Sequence, residues 1–477
     1  MHLGTQRLKG SEMRYGIRPA FKVPGRISSV LVFISLSSPA CDSGSPLPST
    51  FTPPQAAFRP VNPPPFWWGV SASSYQTEDH GTGIGENGFM TDWDLYKVRY
   101  GGVARDDRVG SYTNFERDLA ALKRLGVTHY RFSIEWARVE PSPGAFDDGA
   151  IEHYVTVARR LREEGIEPVV CLWHFAFPDW LSDLNQASQH GWLHPLAAES
   201  WGEYVTTMSQ RLAPYVQFFA PQNEPNGYAL GMTMALFPPR QLLSEGYYDV
   251  VTEAEIGTFL QAAAIIRAAR ADAKIISVQN IIHWTRDIFD PVGLYDKALA
   301  YNYRHLDGIA GAIDYLGFNY YQTEVASPLP VFLTALRVGA NVSDVGMFID
   351  PDGLAIEIVN LSERYQLPLI ITENGIADRS DQKRQLFLSS HLQAIRRTLD
   401  ADYDVRGYFH WTLIDDFEWS NGYGPLYGLH TVDAQSNTLV PKASAELYRS
   451  FIAGRVMDPD ADPSTLDAAA CVVTSER

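Results

Sequence analysis

The chain has 477 residues, 45% of them hydrophobic and 20% charged, which excludes wholesale disorder and leaves ample apolar material for a large core. At ~150 residues per domain the length suggests three domains, although an α/β barrel spends about 250 residues on one. The 39 basic and 56 acidic side chains leave a formal charge of −17, a field that repels polyanions and argues against nucleic acid as a partner.

In chain order, Arg14, Arg18, Lys22 and Arg26 precede an uncharged run over 27–36, followed by Ser38, Pro39, Ala40 and Cys41. That run is too short to span a bilayer and suits the apolar stretch of an export signal. A cysteine just after small residues resembles the lipobox of bacterial lipoproteins. Residues 1–40 are therefore expected to be an export signal, with Cys41 acylated and the protein held at a bacterial cell envelope. The alternative is an over-extended start, with Met13 or a later site as the true one and a cytoplasmic protein. Residues 41–65 hold prolines at 46, 48, 53, 54, 60, 63, 64 and 65 and read as an extended tether.

From Phe66 onward, short apolar runs alternate with helical patterns. Strands are expected at 67–72, 127–134, 168–173, 216–222, 274–279, 313–320, 367–373 and 405–411. Segments 115–125, 151–161 and 255–269 carry helical spacing, and Gly126 and Gly165 stand where C-caps belong. With 442–452 as a last helix, the pattern predicts an α/β fold, a single (β/α)8 TIM barrel over 66–455, and a short tail over 456–477. Cys171 falls inside the third apolar run and reads as core; three cysteines cannot build a disulfide framework or a Cys-rich zinc site.

In such a barrel the loops at the C-terminal strand ends form the active site. The longer inserts, 225–252 and 321–351, follow the fourth and sixth strands. Polar residues cluster at those ends: Gln76, His174, Asn223 with Glu224, Asn319 with Tyr321, Glu373, and Trp411 followed by Glu418 and Trp419. Any one of them alone reads as a cap, a core side chain or a solvated charge; their shared placement carries the signal. Glu224 and Glu373 end strands on opposite sides of the barrel. Glycoside hydrolysis needs such a pair, one carboxylic acid to protonate the leaving oxygen and one carboxylate at the anomeric carbon.

The runs 68–76 (WGVSASSYQ), 130–134 (YRFSI), 223–225 (NEP), 317–321 (GFNYY), 371–375 (ITENG) and 416–419 (DFEW) resemble glycoside hydrolase family 1, the β-glucosidase family. The likeness extends from about Phe66 to Ile452. It implies a retaining exo-β-glycosidase with Glu224 as acid/base and Glu373 as nucleophile. It further implies that Arg131 and Tyr321 contact the nucleophile, that Asn319 supports the pair, and that Asn223 holds the sugar 2-hydroxyl. Gln76, His174 and Glu418 would take the remaining hydroxyls, Trp411 would lie under the ring, and Trp419 and Tyr427 would complete the subsite. No cofactor is implied. The expected partner is a small β-glycoside or oligosaccharide, with membrane contact only through an anchor at Cys41.

Members that act on 6-phosphorylated sugars place a Lys–Tyr pair after a small residue at the Glu418 position. Ser420 and Tyr427 are compatible with that, but Pro425 stands where the lysine belongs and Glu418 would repel a phosphate. Unphosphorylated β-glucosides are thus expected, with β-galactosides and β-fucosides as extensions. Phe175 replaces a usual Trp and Met347 an aglycone-side Trp, changes expected to loosen substrate contacts. The Gly-rich stretch 83–88 reads as a rim loop, since Glu86 would face any pyrophosphate. Two rival readings remain at this level: a transglycosidase on the same scaffold, and an inactive, lipid-anchored glycan-binding barrel.

Overall fold

A computed structural model describes residues 51–60, 64–79, 89–103, 105–241, 245–287, 293–326, 339 and 341–458. The export signal, Cys41, the 83–88 loop and all but the first residues of the tail lie outside the described residues.

Nine strands form one parallel sheet: β1 (Trp67–Ser71), β2 (His129–Ser133), β3 (Glu167–Cys171), β4 (Phe218–Ala220), β5 (Lys274–Ile275), β6 (Gln279–Arg286), β7 (Leu316–Ala326), β8 (Leu369–Asn374) and β9 (Val405–Trp411). Their order is β5-β4-β3-β2-β1-β9-β8-β7-β6. The two ends of that order are consecutive in the chain. Lys274 and Ile275 pair with β4, Ile276 bridges to Tyr315, and Gln279 onward pairs with β7. β5 and β6 are thus the two halves of one barrel strand that changes partner midway, and the ring closes with eight staves. Each stave beyond the fifth is one place lower in the barrel count than its label.

Ten helices matter here: α1 (Asp92–Tyr100), α2 (Phe115–Leu125), α3 (Asp148–Glu163), α4 (Ala197–Leu212), α5 (Pro225–Thr233), α6 (Glu245–Ala269), α7 (Leu294–Ile309), α8 (Pro351–Tyr365), α9 (Gln382–Asp400) and α10 (Ala443–Ala453). Their boundaries follow local chemistry. α2 buries Leu119, Leu122 and Leu125 on one face and stops at Gly126, whose φ of 78° is left-handed. α3 begins where the Asp147 side chain accepts from Ala150 N–H. α8 begins at Pro351 after Asp350, which caps Gly353 N–H.

The barrel interior is graded along its axis. Trp67, Val169, Phe218, Ile276, Ile370 and Phe409 plug the N-terminal end of the strands. Above them Cys171, Ala220 and Val278 form a layer of small side chains, with Cys171 buried as its sequence context predicts. Small residues there leave room for the charged side chains at the C-terminal rim.

The packed unit extends beyond the boundaries that composition suggests. Phe51, Ala56 and Phe58 lie against the core, and the Ala56 and Arg59 N–H groups donate to the carbonyls of Ala401 and Asp402 at 2.8 and 2.9 Å. Proline content makes 51–59 read as tether, but the apolar residues between the prolines dock it. At the other end Val456 and Met457 are buried, and Arg396 Nη1 donates to the carbonyls of Val456 and Asp458 at 3.0 and 2.8 Å. Asp458 also pairs with Arg455.

Candidate active site

Two buried carboxylates face each other across the rim in different surroundings. Glu373, near the end of β8, accepts from Arg131 Nη1 at 2.5 Å and from the Tyr321 hydroxyl at 2.7 Å. Burial raises its pKa, while Arg131 and the Tyr321 hydrogen bond act against burial and favour the anion. Arg131 is fully buried in β2, so the guanidinium has this carboxylate and Asn223 Oδ1 (2.6 Å) as its reason to be there.

Glu224 follows β4, at the N-cap of α5. Pro225 supplies the first helical residue, and Glu224 itself takes a left-handed φ of 41°. That backbone is pinned on both sides, with Glu224 N–H donating to Val278 O at 2.7 Å and Tyr228 N–H to Glu224 O at 2.9 Å. Its carboxyl accepts from Asn319 at 2.8 Å and Asn280 at 3.0 Å, both neutral amides, and has no bonded cation among the described residues. Burial and the nearby Glu373 charge push its pKa up to about 7. One carboxyl is therefore held as a base or nucleophile, and the other can carry a proton near neutrality.

Asn223 ties the centre to the far wall. Its Oδ1 accepts from Arg131, so its Nδ2 must point at His174 Nε2, 3.2 Å away. Burial holds the His174 pKa well below its ordinary value, so the ring is neutral. With Nε2 as the acceptor, Nδ1 carries the hydrogen. That atom is buried and has no partner among the described residues, leaving a donor for a hydroxyl of a bound molecule.

His174 lies parallel to Trp411 and Trp419, with centroids 5.8 and 6.1 Å away. Trp411 Nε1 donates to Glu418 Oε1 at 3.3 Å. Gln76 takes a hydrogen bond from Ser73 Oγ on its Oε1 at 2.7 Å, while its buried Nε2 is turned toward Glu418. Burial lifts the Glu418 pKa to about 7. Tyr427 is buried edge-on to Tyr321, with centroids 6.2 Å apart. All twelve residues read from the sequence therefore converge on one rim. One of them, His174, offers a buried donor with no partner among the described residues, and Gln76 turns a second donor toward Glu418.

Phe175 is packed into this wall. It adopts φ 65°, its carbonyl accepts from Trp93 Nε1 at 3.0 Å, and its ring contacts Trp419 and Phe237 with centroids at 5.4 and 5.2 Å. The smaller ring fills a packed aromatic cluster. Asn280 and Asp416 are site residues that sequence reasoning missed as individuals. Asn280 directly follows the fifth expected strand, where a polar residue at a C-terminal strand end is itself the signal. A separate cavity of about 30 Å³ lies behind β1 and β2, lined by Ser74, Glu78, Ser133 and Tyr154 among others. It is of water size and far too small for a sugar.

The profile of glycosyl hydrolase family 1 matches residues 60–284 and 245–457. The bifunctional β-D-glucosidase/β-D-fucosidase of Bifidobacterium breve is 31% identical over 457 residues, spanning 82% of this chain and 98% of that protein. Among solved structures, Fpglu1 from Fervidobacterium pennivoraus superposes with a TM-score of 0.73 at 25% identity, covering 84% of this chain and 98% of its own. A β-glycosidase from Pyrococcus horikoshii gives a TM-score of 0.72 at 26% identity, covering 85% and 97%.

Proposed function

The chain belongs to glycosyl hydrolase family 1, and from that premise we propose that it is a retaining exo-β-glycosidase for unphosphorylated β-D-glucosides, with β-D-galactosides and β-D-fucosides as further substrates. The observation that carries this reading is the asymmetry of the two carboxyls, Glu373 bonded to Arg131 and Tyr321, Glu224 to amides only.

In the first step Glu373 attacks the anomeric carbon while Glu224 gives its proton to the departing oxygen, whose bond to the sugar breaks. The product is a glycosyl ester on Glu373, which is neutral. Much of the repulsion that raised the Glu224 pKa is then gone, and Glu224 ionises to serve as base toward water in the second step. Water attacks the anomeric carbon, its proton passes to Glu224, and the ester bond breaks. Arg131 and Tyr321 receive the freed carboxylate. Asn223 stands beside the reacting ring for the 2-hydroxyl, and His174 Nδ1 and Gln76 Nε2 supply donors for other hydroxyls. Trp411 and Trp419 give the flat apolar faces on which a sugar ring packs. The glucosidase/fucosidase activity named for the Bifidobacterium relative supports a site that tolerates change at the 4- and 6-positions.

A panel of aryl β-glycosides followed by NMR tests the reading. Release of the β-anomer first, with Glu373→Gln folded and reduced in turnover by at least about 10⁴-fold, is the expected result. First release of the α-anomer, or near-normal turnover in that variant, would overturn it. Sugar transfer outpacing hydrolysis at low concentrations of an added alcohol would instead identify a transglycosidase. Binding without turnover would identify a glycan-binding barrel.

A further inference from the structure

Asn280, the second residue of β6, donates from Nδ2 to Glu224 Oε1 at 3.0 Å. Its own Oδ1 accepts from the Tyr301 hydroxyl on α7, also at 3.0 Å. The amide therefore cannot turn its oxygen toward Glu224 without breaking that bond. Asn226, in the first turn of α5, fixes the backbone beneath it. Its Oδ1 accepts from Asn280 N–H at 3.1 Å, and its Nδ2 donates to the carbonyls of Asn280 and Tyr301 at 2.8 and 3.2 Å. Tyr301 is buried, and burial together with the Glu224 charge keeps its hydroxyl protonated, always a donor to Asn280.

A second amide is pinned in the same sense. Asn319 donates from Nδ2 to Glu224 Oε1 at 2.8 Å, and its Oδ1 is occupied by the Thr372 hydroxyl at 2.7 Å. Both donors reach the same oxygen. Among the described residues, no donor reaches Oε2.

We propose that Tyr301, acting through Asn280, is a positioning residue that reserves Glu224 Oε1 as an acceptor and so places the transferable proton on Oε2. The assignment rests on the acid/base role given to Glu224 above. A hydroxyl hydrogen on Oε1 would point at two N–H groups, so the protonated acid carries it on the other oxygen. When Oε2 yields its proton to the leaving oxygen, the charge left on the carboxylate meets two amide donors already in place, with no reorganisation. In the second step the proton from water returns to Oε2. The other charged or titratable groups facing Glu224 are Glu373 on β8, Arg131 on β2 and Tyr321 on β7, and the exchange below leaves all three intact.

Tyr301→Phe frees the Asn280 amide to turn and offer its oxygen to a protonated Glu224. That favours the acid form and withdraws a donor from the anion. The alkaline limb of kcat/KM for an aryl β-glucoside, set by loss of the Glu224 proton, is then expected to rise by about one pH unit. A unit of pKa changes the ionised fraction about tenfold. With a dinitrophenyl leaving group, which needs no acid, the acid limb of kcat, set by ionisation of Glu224 in the glycosyl-enzyme, should move up by the same amount. The rate lost below that limb should recover with azide, a nucleophile that needs no base. Asn280→Ala removes the donor outright and should move the limb the same way, and near-UV circular dichroism establishes that each variant is folded. An unmoved limb in both folded variants overturns the proposal, and so does a rise in KM alone, which would make Asn280 a substrate contact. A wild-type protein inert toward every aryl β-glycoside would instead overturn the functional reading itself.

Discussion

Asp416 stands two residues before Glu418, buried, with no hydrogen-bond donor on either carboxyl oxygen among the described residues. Its carboxyl lies within bonding reach of Glu418, and Asp415 and Glu373 add further negative charge. Asp415 is paired with Lys442 at 2.6 Å, but among the described residues Asp416 has no cation of its own. Two carboxyls in contact are stable only with a proton between them, and burial, with Glu418 next, raises the Asp416 pKa well above its ordinary value. The folded protein thus keeps a proton that the unfolded chain loses near pH 4. Between that pH and the raised folded value the native state binds more protons than the unfolded state, so stability falls as pH rises. Asp416→Asn keeps the shape, removes the titration and supplies an N–H for Glu418. Thermal melts should show the variant no more stable than wild type near pH 4 and a few degrees more stable at pH 8. A difference that does not grow with pH would mean that Asp416 has a donor or cation beyond the described residues.

At the level of elements, the close approach of β8 and β9 at the rim sets the position of the Trp411 face. Gly375, just past β8, lies so near the Trp411 backbone that a Cβ there would meet its carbonyl oxygen at 2.1 Å. Gly375→Ala must push the end of β9 outward, at a cost of about 1–3 kcal/mol in a denaturant melt. The displaced indole should raise KM for aryl glucosides more than it lowers kcat, and an unchanged KM would separate Trp411 from substrate binding. The strands themselves were legible because each barrel stave is an apolar run between helices, and the caps at Gly126 and Gly165 were legible because their φ values of 78° and 75° suit glycine. The fifth stave was read only as 274–279, yet its pairing continues to Arg286. Its second half has only two buried residues, Gln279 and Ile281, before running part-exposed to an exposed Arg286, and its partner, β7, is decided only when the ring closes. Stopping at Gln279 is also why Asn280 escaped notice. Tyr301 carried no local signal at all: a tyrosine in the middle of α7 is indistinguishable from core until the fold brings it under Glu224. The docking of 51–59 was hidden for a related reason, since its contacts are with Ala401 and Asp402, far away in sequence.

The net charge of −17 acts on the whole molecule, and its effect depends on the ligand. A neutral glycoside feels neither attraction nor repulsion, so kcat/KM for an aryl β-glucoside should vary little between low and high salt. A 6-phosphorylated glucoside carries charge into a rim that already holds Glu418, Asp416 and both catalytic candidates, Glu224 and Glu373. At an effective dielectric of ~20, one unit charge 4 Å from another costs about 4 kcal/mol, roughly a 10³-fold penalty before any long-range term. The long-range part is screened within about 10 Å at 0.1 M salt, whereas a buried contact is not. Salt titration separates the two contributions. Added salt should recover a minor part of the lost rate on the phosphorylated substrate and leave a deficit of about 10³-fold or more at high ionic strength. Glu418→Ser should then recover much of the remainder on that substrate while weakening turnover of the neutral one, because the family resemblance implies that the same carboxylate takes its hydroxyls. Equal rates on both substrates at high salt would place the phosphate away from Glu418 and move the 6-position of the sugar to another part of the rim.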